Sequence, residues 1–213
     1  MINLSGKDVV DVGCGEGNIS LEIASAAKSV RAYDYSQKAI ELAREKHSEF
    51  SSNLEFSVGS VEEIVGDFDV VMCLGTFEHL DNPWNALQYF YERIKRKEGE
   101  IVIACPSFIN PRGYVWMALQ HLFDVPMSLT DLHSFLPTDF ERFAKKLDMD
   151  LRWITTDYNI GLGPDLIRDF KRRLPNALRD AGLPVNNVGV FLDWLESAIS
   201  YEKNQPYSGS MAI

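Results

Sequence analysis

An apolar run that ends in three closely spaced glycines dominates the start of this chain: Val9-Val10-Asp11-Val12-Gly13-Cys14-Gly15-Glu16-Gly17-Asn18. A short run of β-branched residues closed by glycine reads as a buried strand entering a turn, and the glycines supply positive φ or room for a ligand. Helical spacing follows at Ile19, Ile23, Ala26 and Ala27. Strand, glycine turn and helix in succession restrict the chain to an α/β architecture with a nucleotide-binding turn. The expectation is that a Cβ at any of Gly13, Gly15 or Gly17 would hold off the ribose and tail of the ligand. A dinucleotide fingerprint counted from Gly13 needs glycine where Asn18 stands, whereas the third glycine is Gly17, so the spacing disfavours NAD.

Strand-like and helix-like segments continue to alternate, which predicts a parallel sheet covered by helices. Strands are expected at Val30 to Tyr33, Leu54 to Val58, Asp69 to Leu74, Ile101 to Ala104 and Leu151 to Thr155, with Ser210 to Ile213 as a possible seventh. Ser36 is the expected N-cap of a helix carrying Ile40 and Ala43. Trp84, Leu87, Tyr91 and Ile94 form the stripe of another helix, whose end is expected at Gly99, just before the fifth strand. Thr138 and Glu141 have capping-box spacing for a helix over 138–147. Residues 106–135 and 161–207 break the alternation with helix-like stripes interrupted by prolines. As insertions after strands five and six they lie where an open parallel sheet binds ligands, and they either roof that site or simply pad the sheet.

Composition narrows the partners. At 213 residues and 46% hydrophobic content the chain is expected to form a single domain over 1–213. A net charge of -10 opposes phosphate neutralisation, so nucleic acid and anionic membranes are disfavoured as partners. Arg93, Lys95, Arg96 and Lys97 read as a helix C-terminus. Cys14, Cys73 and Cys105 lack metal-ligand spacing and read as buried, reduced thiols, and no metal is expected. The N-terminus lacks a signal-peptide pattern and no apolar run is long enough to cross a bilayer, so a cytoplasmic location is expected.

The pattern D-x-G-C-G-x-G over Asp11 to Gly17 resembles motif I of the class I S-adenosylmethionine-dependent methyltransferases. The resemblance runs from Val9 to about Thr155, and is strengthened by Tyr33-Asp34-Tyr35-Ser36 and by the run Cys73 to Pro83 with its Glu78-His79 pair and Asp81-Asn82-Pro83. It implies a Rossmann-like doubly wound sheet of seven strands in the order 3-2-1-4-5-7-6, strand 7 antiparallel, with helical insertions after strands 5 and 6. It implies S-adenosylmethionine as cofactor and S-adenosylhomocysteine as product.

Residue by residue, the resemblance places Asp11, Gly13, Cys14, Gly15 and Gly17 at the cofactor turn and Asp34, with Tyr35, at the ribose hydroxyls. Ser60 and Val61 fall at the adenine, where relatives commonly carry aspartate; Ser60 is uncharged, so Glu62 is a candidate for recruitment. Leu74 falls near the methionine moiety, and Glu78 and His79 fall at the mouth of the acceptor pocket. The reaction implied is in-line displacement, in which alignment carries most of the catalysis and a hydroxyl or ammonium acceptor must also lose a proton. His79 is the first candidate base and His133 the second, with Glu78 orienting either or binding the acceptor. Each histidine also has a purely structural reading as a cap or packing group.

The acceptor expected is a small molecule methylated at oxygen or nitrogen beneath the first insertion, whose Phe108, Tyr114, Trp116, Met117, Leu119 and Phe123 suit an apolar roof or a satellite core. Two other classes stay open: an NAD-dependent oxidoreductase, and a non-catalytic S-adenosylmethionine-binding regulatory subunit. The sequence does not speak to oligomeric state.

Overall fold

The computed structural model describes residues 2–47, 52–95, 99–125, 131–155, 163–199 and 210–213, and of 210–212 the backbone. Its contacts divide the chain into two compact units, Met1–Ala104 and Cys105–Ile213.

The first unit contains β1 (Asp8–Val12), α1 (Asn18–Ala26), β2 (Ser29–Asp34), α2 (Gln37–His47), β3 (Leu54–Val58), β4 (Val70–Leu74) and α3 (Pro83–Arg93), and β5 (Glu100–Pro106) runs across its end. The strands lie parallel in the order β3-β2-β1-β4-β5. Helices cover the sheet, so β1 and β4 are buried on both faces and read as continuous rather than alternating runs, with Asp11 the one buried acid inside β1. Val9, Val30, Val70 and Met72 pack against Ile23 and Ala24 of α1, and Ala32 and Phe56 pack against Ile40 and Ala43 of α2. The Ser36 hydroxyl accepts from the Ala39 amide at 3.3 Å and so caps α2 as the sequence predicts.

Register brings the carboxyl ends of the strands level: Val12 pairs with Tyr33, Asp34 with Val58 and Leu74 with Ala104. At the opposite ends of β1 and β4, the Lys95 ammonium bridges Asp8 at 3.1 Å and Asp69 at 2.9 Å. The Ser29 hydroxyl, donating at 2.8 Å, together with Lys95 and Lys28, draws the Asp8 carboxyl down to about 2. Lys95 therefore ties strand starts together, and Arg93 lies over the Tyr89 ring; Arg96 and Lys97 fall outside the described residues.

The second unit contains α4 (Pro111–Phe123), α5 (Pro137–Leu147), β6 (Ile154–Thr155), α6 (Gly163–Asp180), α7 (Val188–Ile199) and β7 (Ser210–Ala212), with β6 and β7 antiparallel. It has a core of its own, in which Phe108 and Trp116 meet Leu166, Ile167, Phe170 and Leu174 of α6 and Leu192, Leu195 and Ile199 of α7. Asp169 accepts from Arg112 at 3.1 Å beside this core, and the Arg173 guanidinium lies over the Trp116 ring. Lys171, Arg172 and Arg173 are thus spent on ion pairs with Glu196 and Asp169.

Two local expectations change. α5 begins at Pro137, and it is Asp139, not the Thr138–Glu141 pair, that closes its first turn, its carboxylate accepting from the Leu136 amide at 2.8 Å. Pro137 at the first helical position sets the start one residue earlier, because its missing N–H costs nothing there. The sixth strand is only Ile154–Thr155, short of the expected Leu151 start. Of the insertions, 126–130 in the first and 161–162 and 200–207 in the second lie outside the described residues.

Trp116 is 1% exposed at the centre of the helical core. Trp116→Ala should destabilise the fold by about 3–5 kcal/mol. Denaturant unfolding of parent and variant measures it.

Candidate cofactor site in the first unit

The turn between β1 and α1 takes its shape from the end of β2. The Tyr33 carbonyl accepts from the amides of both Gly13 and Cys14, at 2.8 and 3.0 Å. One carboxylate oxygen of Asp34 accepts from the Gly15 amide at 2.9 Å, and the other accepts from the Ser36 amide at 2.9 Å. Asp34 is thereby held with both oxygens oriented, and lone pairs remain on each for further donors. The Asp34 carbonyl accepts from Gly59, which links the exit of β3 to the same point.

All three glycines have positive φ, yet only one faces open space. A Cβ on Gly15 would meet nothing within 4 Å. One on Gly13 would lie 2.2 Å from the Thr76 hydroxyl, and one on Gly17 would lie 2.5 Å from the Phe56 ring and 3.2 Å from His47. The expectation that all three glycines make room for ligand is corrected: Gly13 and Gly17 make room for the protein's own side chains. Gly75, just after β4, also has positive φ and open space at its Cβ position.

Thr76 joins the β4 exit to the turn, its hydroxyl donating to the Gly13 carbonyl at 3.3 Å. The next three residues coil into one short turn of helix, closed by the His79 amide donating to the Thr76 carbonyl at 2.9 Å. Phe77, fully buried, meets Trp84 edge-on and anchors that turn. Glu78 is buried, whereas the His79 side chain is about one-third exposed, with Nε2 3.9 Å from a Glu78 carboxylate oxygen. That spacing is an ion pair when the imidazole is protonated and too long for a hydrogen bond.

Asp11 is the unexpected member. It is buried inside β1, accepts from the Ser20 hydroxyl at 2.6 Å, and has its carboxyl pushed up to about 6, chiefly by burial and further by the negative charge of Asp34. Burial and the charges of Asp11 and Asp34 push the Cys14 thiol up to about 12, so it stays protonated at neutral pH. At the turn after β3, the Ser60 amide donates to a Glu63 carboxylate oxygen at 2.8 Å, while Val61 is buried. Glu63 rather than Glu62 folds onto that backbone; the Glu62 carbonyl accepts from the Tyr89 hydroxyl. Tyr35 is 85% exposed.

The first unit therefore brings Asp11, Gly13, Cys14, Gly15, Gly17 and Asp34 into one hydrogen-bonded loop, to which Glu78 and His79 are tied through Thr76. His133 belongs to the second unit, where its ring stacks on Phe135. Among the described residues no group of three or more His, Cys, Asp or Glu is arranged to hold a metal. Sequence reading did not single out Ser20, Thr76 or His47. These residues act on the loop from 9, 63 and 31 positions away, and no local motif announces such contacts.

Comparison with known proteins bears on this site. A family model described as a methyltransferase domain matches residues 3–148, ending before α6 and α7. The fission yeast Schizosaccharomyces pombe mitochondrial ubiquinone biosynthesis O-methyltransferase is 38% identical over 72% of this chain and 57% of its own length. The ubiquinone biosynthesis O-methyltransferase of Aromatoleum aromaticum is 31% identical over 76% of each chain, and that of Dechloromonas aromatica 28% identical over 70% of this chain and 67% of its own. Two solved structures share the fold: a candidate methyltransferase from Bacillus halodurans (TM-score 0.64, 15% identity, covering 98% of this chain and 90% of that one) and the Synechocystis magnesium protoporphyrin IX methyltransferase with bound S-adenosylhomocysteine (TM-score 0.57, 19% identity, covering 73% and 70%).

The chain has the α/β Rossmann-like methyltransferase fold with a parallel sheet. It belongs to the methyltransferase-domain family, as a class I S-adenosylmethionine-dependent enzyme. S-adenosylmethionine is its cofactor and S-adenosylhomocysteine the product. The loop fits this group, since a carboxylate fixed at the strand end borders a space that a Cβ at Gly15 would fill.

Asp11 carries a pH signature. A carboxyl that titrates near 6 in the fold, against an ordinary 3.8, binds its proton more tightly when folded, so its contribution to stability is fullest at low pH and is lost as pH rises between those values. The Asp11→Asn variant has no such loss. Its unfolding free energy, relative to the parent, should shift in its favour by about 2 kcal/mol between pH 4 and pH 7. Denaturant melts of the pair across that range test it, whatever the absolute cost of the amide.

Proposed function

We propose that this chain transfers the methyl group of S-adenosylmethionine to a hydroxyl oxygen of a small-molecule acceptor, in the manner of the ubiquinone biosynthesis O-methyltransferases it resembles. The single observation that carries this reading is the Asp34 carboxylate, held by the Gly15 and Ser36 amides beside the open face of Gly15. It supports Asp34 as the ribose acceptor, with Tyr35 beside it, and Gly13, Cys14, Gly15 and Gly17 as the turn along the cofactor. Asp11 supports that turn from beneath, through Ser20. Ser60 and Val61 are assigned to the adenine and Leu74 to the methionine moiety. Family membership disfavours an NAD-dependent oxidoreductase and a non-catalytic subunit.

When bound, S-adenosylmethionine supplies a methyl group already activated on a sulfonium. The protein's part is to line up the acceptor oxygen and remove its proton. His79 is assigned as the base: its ring is accessible and sits on the turn that Thr76 fastens to Gly13. Glu78, whose carboxylate oxygen lies 3.9 Å from His79 Nε2, is assigned to orient the base or to bind the acceptor. His133 stays the second candidate.

In this reading 1–213 act as one methyltransferase domain, with β7 and β6 extending the sheet to 3-2-1-4-5-7-6, which the antiparallel β6–β7 pairing supports. Residues 106–135 and 161–207 cover the acceptor. Phe108 and Trp116 are committed to the helical core, so Tyr114 and Phe123, both more than half exposed, are the aromatic groups left to meet an acceptor. The net charge of -10 favours a small acceptor over nucleic acid or a membrane surface. No helix among the described residues is long and apolar enough to cross a membrane, and a cytoplasmic setting is part of the proposal.

Calorimetry should show S-adenosylhomocysteine binding that NAD does not displace. Asp34→Ala removes a charged acceptor for two hydroxyls, each bond worth ~1.5–3 kcal/mol, and should weaken S-adenosylhomocysteine binding at least about tenfold. Unchanged affinity would move the ribose role elsewhere. His79→Ala should lower turnover of hydroxylated aromatic acceptors about 100-fold or more while changing cofactor affinity little. Full activity in that variant, with His133→Ala impaired, would transfer the role to His133.

A further inference from the structure

The last turn of α2 reaches across to the glycine turn. The His47 ring is buried, and its Nε2 lies 3.1 Å from the Glu16 carbonyl. A carbonyl only accepts, so Nε2 carries the hydrogen and donates it. The ring stacks on Phe56, with centroids 6.0 Å apart and planes 26° apart, and these two rings are the atoms that a Cβ on Gly17 would strike. Gly17 is the residue that opens α1, and its amide donates to the Cys14 carbonyl within the turn. Nδ1 is buried and has no hydrogen-bond partner among the described residues, so the polar work of His47 passes through Nε2. Lys46 adds an exposed ion pair to the Glu16 side chain at 3.5 Å, too open to water to fix the backbone.

Thr76 holds the Gly13 end of the turn and the Cys14 thiol donates to the Gly15 carbonyl at 3.7 Å from within it, while His47 reaches the Glu16 carbonyl from α2. The Glu16–Gly17 peptide is thus held at both ends, its amide on the Cys14 carbonyl and its carbonyl on His47, and losing the His47 bond loosens the short turn that presents the Gly15 amide, two peptide units back, to Asp34. We propose that His47 is a positioning residue for the cofactor: it never touches the ligand, but fixes the Glu16 peptide so that the Gly15–Asp34 cradle is formed before binding. Preorganisation of this kind appears as affinity, because the ordering cost is met in the folded protein.

The inference rests on the cofactor reading above, and its test separates the two. His47→Phe keeps a ring on Phe56 and removes the donor, while His47→Gln places an amide N–H near the Nε2 position. The full chain is titrated with S-adenosylhomocysteine by calorimetry, with Asp34→Ala alongside and thermal melts of every variant. The expected result is affinity reduced about tenfold in His47→Phe and restored to within about threefold of the parent in His47→Gln. A merely structural role would lower the melting temperature of both variants without this split, and that result overturns the proposal. Weakened binding in Asp34→Ala with parental affinity in His47→Phe overturns the role of His47 and leaves the cofactor reading standing. If His47→Phe fails to fold, a folded His47→Gln with affinity down about tenfold or more also overturns it, and one within about threefold of the parent supports it. Parental affinity in Asp34→Ala would remove the cradle itself, and the positioning role with it.

Discussion

Parallel pairing of β1 with β2, in a register that sets Val12 against Tyr33, is the constraint on which the site depends. Once β1 ends, the next two amides have no strand partner of their own, and the Tyr33 carbonyl takes both. The chain must reverse over the five residues Gly13–Gly17 to enter α1, and it does so with positive φ at Gly13, Gly15 and Gly17. The same register places the Asp34 side chain one residue past Tyr33, within reach of the Gly15 amide. A one-residue slip of β2 would turn Asp34 to the opposite face of the sheet and leave the turn without its acceptor.

Much of this was legible in the sequence because it is local. The strand ending at Val12, the helix after Gly17, the Ser36 cap and the acid at the end of β2 each follow from period, turn chemistry or short spacing, and the structure forms all four. What escaped was the reason for two of the glycines. Gly13 and Gly17 read as ligand clearance, but their Cβ positions are filled by Thr76, Phe56 and His47, from β4's exit, β3 and α2. A glycine pattern records that space is needed; only the tertiary structure says what fills it. The aromatic run of the first insertion was ambiguous for a similar reason. Helical spacing cannot separate a roof from a satellite core, and it is packing on α6 and α7 that commits Phe108 and Trp116 to the core.

The turn at Ser60, which the proposal assigns to the adenine, departs from the family pattern without losing order. Where relatives commonly place aspartate, Ser60 leaves its amide to a Glu63 carboxylate oxygen, so an acid is still present at this turn but is spent on the backbone. Affinity lost for lack of a charged acceptor must come from elsewhere in the site, and the best-ordered polar group available is the Asp34 carboxylate, with two amides already fixing it. With Asp34 as the proposed ribose acceptor, that concentrates binding at the ribose.

Asp11 shows why such a site is built against stability. An apolar residue at this position would suit a strand buried on both faces, and a carboxyl titrating near 6 where its ordinary value is 3.8 costs the fold about 3 kcal/mol at neutral pH. Neither Asp11 nor Asp34 has an ion-pair partner among the described residues; the Ser20 hydroxyl and two backbone amides are what they hold. The two acids raise the negative potential at the turn, and in the proposed reading, with the cofactor bound there, that potential favours a ligand carrying a sulfonium and an ammonium over its neutral-sulfur product. On that proposal the cost of keeping the acid in β1 is coupled to the charge of the ligand, in keeping with stability given up locally where binding is needed.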